Sequence, residues 1–65
     1  MEEYQQRVVA EKAELDGRLK RLTAFLASKA IESVALVERN RLIEQQGYMA
    51  QYSDVLGRRI AWFQE

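Results

Sequence analysis

Between Leu42 and Phe63 the chain repeats its apolar residues at helical spacing along two separate lines. The first is Leu42, Gln46, Met49, Ser53, Leu56, Ile60 and Phe63; the second is Tyr48, Tyr52, Val55, Arg59 and Trp62. Both advance by alternating steps of four and three residues, the period that holds side chains on one face of a helix. At about 100° per residue their mean directions lie roughly a third of a turn apart. The pattern predicts a helix with two faces to bury. One face can be covered by the rest of the chain. The other carries three of the six aromatics and an arginine, and it requires a second chain or a ligand.

A chain of 65 residues buries little of its own surface, so it needs disulfides, a metal or partner chains to be stable. It contains no cysteine and no histidine, which removes disulfides, Cys/His metal sites and the usual general base. Self-association is the remaining source of stability. Ten basic residues balance ten acidic ones, so no overall field draws nucleic acid or anionic membrane. No apolar run approaches the roughly 20 residues of a membrane span, and the acidic opening MEEYQQ does not read as a signal peptide. The expected location is the cytoplasm. Sustained heptad-like spacing without proline predicts an all-α chain.

The first helix is expected over about residues 2–28, with Tyr4, Val8, Leu15, Leu19, Leu22 and Leu26 on one stripe and Glu2 and Glu3 in its first turn. Glu11 falls on that stripe where an apolar residue belongs. It either pairs with a basic residue of the second helix or leans into water, or else it contacts a ligand or a neighbouring subunit; a buried, unpaired carboxylate is too costly. The pattern loses phase at Lys29–Ser33, which predicts a turn with Ile31 and Val34 beneath it and Ser33 as N-cap of the second helix. That helix is expected over about 35–63. Gly17, Gly47 and Gly57 lie inside helices, at about 1 kcal/mol each relative to alanine, and suggest close backbone approach or bending. The whole chain, 1–65, reads as a single domain, an antiparallel two-helix hairpin that assembles into an oligomeric helical bundle.

No catalytic constellation is visible. Ser28, Ser33 and Ser53 have no histidine to activate them, the carboxylates are spaced as a solvated face, and no glycine-rich phosphate loop follows a strand. Neither cofactor nor metal is expected. Basic residues gather near the turn (Arg18, Lys20, Arg21, Lys29, Arg39, Arg41), and Arg7 is placed with Arg58 and Arg59 at the open end. Arg59 differs from the rest because it lies in the aromatic seam with Tyr48, Tyr52 and Trp62. Arginine among aromatics suits a ligand with a flat ring and phosphates, since rings stack on rings and guanidinium forks grip phosphate oxygens. It equally suits a subunit interface, where Tyr, Trp and Arg are enriched. The candidate ligand-binding residues are Arg59, Tyr52, Trp62, Tyr48, Arg58, Gln46, Arg7 and Glu11. Gln46 and Ser53, polar within the first seam, are also candidates for fixing helix register.

The stretch YQQRVVAEKAELDGRLKRLTAFL and the later ERNRLIEQQGYMAQYSDVLGRRIAWF resemble a family of short helical phage and prophage proteins related to one from a crAss-like phage. The matching positions are Tyr4 to Asp16, then Gln46, Met49, Tyr52 with Ser53, Leu56, and Arg59 with Ile60. The turn segment ASKAIESVAL departs from the family's pattern. The resemblance implies an accessory protein of a phage, acting in the host cytoplasm. Small oligomeric phage proteins of this kind include sponges, which withhold a defence system's nucleotide messenger from its effector. The function expected on this basis is a non-enzymatic anti-defence protein. It would bind a cyclic nucleotide or ADP-ribose-derived signal in pockets of a homo-oligomer. The alternative is a small interaction protein that inhibits or scaffolds a host or phage protein through the aromatic face. A nucleic-acid-binding accessory using the basic turn ranks third.

Overall fold

The computed structural model describes residues 1–64. Two α-helices, α1 (Glu3–Leu26) and α2 (Leu36–Phe63), are joined through a short 3-10 helix (Lys29–Ser33). The described residues contain no strand, and the molecule is a rod of 45 × 15 × 14 Å. The chain is therefore an all-α helical hairpin.

Local chemistry sets the ends of α1. The backbone N–H of Glu2 donates to Oε1 of Gln5 at 2.9 Å, satisfying one of the amides that a helix start leaves unpaired. At the other end the Ser28 hydroxyl donates to the carbonyl of Phe25 at 2.7 Å. The turn needs no glycine, because no described residue adopts a positive φ. The Arg39 side chain helps to hold it instead. Its Nε donates to the Val34 carbonyl at 2.6 Å and its Nη2 to the Glu32 carbonyl at 2.9 Å, tying α2 back onto the connector. Ser33 is not the N-cap of α2. It closes the 3-10 helix, and Ala35 occupies the cap position without a side-chain bond. The shift has a packing cause: Val34 stays extended (φ −94°, ψ 133°) and half-buried after half-buried Ile31, which delays α2 by two residues.

The first seam of α2 faces α1. Leu56 is 1% exposed and forms the core with Val8 and Leu15, and Met49, Ile60 and Phe63 pack against it. Both polar interruptions of that seam find partners across the hairpin. Gln46 Nε2 donates to Thr23 Oγ1 at 2.9 Å. Ser53, nearly buried, donates its hydroxyl to Asp16 Oδ1, while Lys12 Nζ donates to Asp16 Oδ2 at 2.7 Å and to Ser53 Oγ at 3.1 Å. These hydrogen bonds have fixed partners, so they specify the register that apolar contacts alone would leave loose. Gly57 serves the same cluster: a Cβ there would stand 3.2 Å from Cε of Lys12, whose stem crosses the helix at that point. Gly47 has open space, with nothing within 4 Å, and makes no close approach.

Candidate ligand face on the second helix

With α1 covering one seam of α2, the other lies bare. Trp62 is 68% exposed, Tyr48 64%, Tyr52 45% and Val55 44%, and on the turn side Val37 is 72% exposed. An aromatic side chain carries 150–250 Å² of surface, so three left this open form a patch that soluble chains normally cover.

The face divides into two grooves. Toward the open end of the hairpin, Val55, Arg58, Arg59 and Trp62 of α2 meet Phe63 and Tyr4 around an open groove of about 600 Å³. Tyr4 and Phe63 form its floor as an edge-to-face pair, with ring centroids 5.7 Å apart at 80°. Nearer the middle, Tyr48 and Tyr52 line a second open groove of about 500 Å³ with Arg41, Glu44, Gln45 and Met49.

The two adjacent arginines differ in their engagements. Arg58 Nε lies 3.1 Å from Asp54 Oδ2, one turn back on α2. Arg59 has no ion-pair partner among the described residues. Its guanidinium is thus available to an incoming anion, beside an indole able to take a flat ring on its face. Both grooves are open to solvent, whereas a small-molecule site typically buries most of its ligand.

The remaining candidates fall elsewhere. Gln46 is engaged with Thr23 between the helices. Arg7 pairs with Glu3 at 3.1 Å on the surface of α1 and lines neither groove. Glu11 is exposed and has no ion-pair partner among the described residues. It borders a cleft of about 110 Å³ with Glu14, Leu15, Arg18 and Tyr52, too small for a nucleotide. Sequence reasoning did not place Tyr4, Phe63 or Arg41 at the face. Tyr4 and Phe63 were legible only as members of the core stripes. Arg41 was legible as a seam residue, since it stands seven positions before Tyr48.

The clearest electrostatic perturbation lies at the helix interface. Hydrogen bonds from the Lys12 ammonium and then from the Ser53 hydroxyl hold the Asp16 carboxyl below its ordinary 3.8, against the smaller opposing effect of burial. No cluster of described residues could hold a metal ion, and no described helix is long and apolar enough to cross a membrane.

No curated protein and no solved structure matches this chain. A family model does, and it spans nearly the entire hairpin, from Glu2 at the N-cap of α1 to Trp62 on the exposed seam. Matched over residues 2–62, the chain belongs to the Sequestin family.

Proposed function

We propose that this protein is a non-enzymatic phage anti-defence protein, acting in the host cytoplasm. It sequesters a nucleotide-derived immune signalling molecule between copies of itself. The observation that carries the reading is Arg59, uncommitted among the described residues and set against Trp62 and the Tyr4–Phe63 pair in an open groove. A flat base against the aromatics and a phosphate on the guanidinium would use each of these groups for what it binds best. The family's name points the same way, toward holding a molecule rather than converting it. Sequestration works by mass action, so it calls for tight binding and abundance and not for turnover. A chain with no histidine or cysteine suits that task.

The test is calorimetric titration of cyclic mono- and dinucleotides and cyclic ADP-ribose derivatives against the wild type, Arg59→Ala and Arg58→Ala. A lost charge-assisted hydrogen bond costs about 1.5–3 kcal/mol, so Arg59→Ala should weaken binding at least tenfold while helicity and particle size persist. Arg58→Ala should weaken it less, because that side chain is already engaged with Asp54. If no member of the panel binds the wild type, the face belongs to a protein partner. The chain then reads as an inhibitor or scaffold of a host or phage protein.

A further inference from the structure

The bare seam continues past the aromatics toward the turn in strict heptads. Arg41, Tyr48, Val55 and Trp62 stand seven apart, and so do Glu38, Gln45, Tyr52 and Arg59. All eight are exposed. Turned end for end about residue 50, each series meets the other: Tyr48 faces the partner's Tyr52, Gln45 its Val55, Glu38 its Trp62, and Arg41 its Arg59. On the flank, Glu44 and Arg58 are exposed on the same side of the seam. Across such a pair Glu44 falls opposite position 56, two residues or about 3 Å along the helix from the partner's Arg58, whereas a parallel pair would set Glu44 against Met49 and Arg58 against Phe63. Only the antiparallel orientation brings opposite charges near each other on the flank. Its area is sufficient too. At their observed exposures Tyr48, Tyr52 and Trp62 alone offer on the order of 300–400 Å² per copy. Two copies therefore contribute much of the roughly 1,200 Å² at which stable interfaces begin, before Val37, Val55 and the arginine stems are added.

One layer of this arrangement is not self-satisfied. Arg41 meets the partner's Arg59, cation against cation. Arg41 has only a loose contact with Glu44, 3.8 Å with both side chains more than half exposed, and Arg59 has no ion partner among the described residues. We propose that a second copy packs antiparallel along this seam and that the facing Arg41 and Arg59 form a two-guanidinium phosphate site shared between subunits. Trp62, three residues beyond Arg59 on the same copy, flanks the pair and takes the base. Twofold symmetry gives two such sites per pair, each nine residues or about 14 Å from the centre. The ligand's chemistry rests on the function proposed above; the pairing and the facing arginines do not.

Charge reversal tests the geometry without a ligand. In sedimentation equilibrium at low salt, Arg41→Glu and Arg59→Glu should each tighten self-association at least threefold by setting Glu against Arg. The double variant, with Glu facing Glu, should return to wild-type strength or weaker. Single reversals that loosen the pair or leave it unchanged, or a wild type that stays monomeric, overturn the proposal. Complementation tests the shared site, with cyclic di-AMP and cyclic ADP-ribose as probes. Arg41→Ala and Arg59→Ala should each lose binding, yet the two variants refolded together should regain about a quarter of the wild-type sites. Half the pairs are then mixed, and each mixed pair keeps one intact site. Full binding by Arg41→Ala beside loss in Arg59→Ala would sink the shared site and leave the proposed function standing. A wild type that binds neither probe would count against the ligand chemistry, and the charge reversals would still decide the pairing.

Discussion

Leu56→Ala is the perturbation that most directly tests the division of α2 into two faces. Leu56 is 1% exposed, the most completely buried side chain of a core it shares, among the described residues, with buried Val8 and Leu15. Truncating a buried leucine removes its transfer free energy and leaves a cavity, together about 2–5 kcal/mol. At roughly 0.05–0.15 kcal/mol per residue, a chain of 65 residues has about 3–10 kcal/mol in all. The substitution should therefore remove a large share of the stability. In a domain this small each kcal/mol moves the melting temperature by about 4–8 °C, so helical circular dichroism should show a drop of at least about 10 °C. Both proteins must be melted at one concentration, because the self-association proposed above would make the midpoint concentration-dependent. Leu56→Met, which conserves volume, should cost less than about 1.5 kcal/mol. A shift of only a few degrees for Leu56→Ala would refute the assignment, since it would mean that α1 does not cover this face in solution.

Two further outcomes follow from the helix interface and the glycines. Asp16 titrates below its ordinary 3.8 in the folded chain, so its contribution to stability is fully present above that value. It should be lost as pH falls from there through the lowered value; urea titrations across pH 2–5 should show that slope, and Asp16→Asn should flatten it. Gly47→Ala should stabilise α2 by about 0.5–1 kcal/mol, since the new methyl enters open space. Gly57→Ala should gain less, because Lys12 must give way to its Cβ, and chemical denaturation of the two variants side by side measures the difference.

What was legible in the sequence was what depends on helical period alone. The four-and-three steps from Leu42 to Phe63 separated the residues that meet α1 from those that stay bare, and Leu56 fell at the buried centre as the spacing required. The turn was legible only as a loss of phase. Its conformation is held partly by Arg39 reaching back five and seven residues to carbonyls, a contact that leaves no mark in local propensity. The same limit hid the partners of the polar seam residues. Gln46 and Ser53 stood out as register-fixing positions, but Thr23, Asp16 and Lys12 become their partners only once the hairpin register exists. At the face itself, Arg59 and Trp62 were visible as an arginine in an aromatic seam. The wall formed by Tyr4 with Phe63 was not, because it requires the start of α1 to lie against the end of α2.

Native mass spectrometry of the protein purified from bacteria with an active nucleotide-signalling defence system reads the subunit number and any retained molecule in one spectrum. Sequestration between copies predicts particles of at least two chains that carry the added mass of a nucleotide, with that mass absent from Arg59→Ala particles of the same size. A bare monomer, or a nucleotide retained equally by Arg59→Ala, would contradict it.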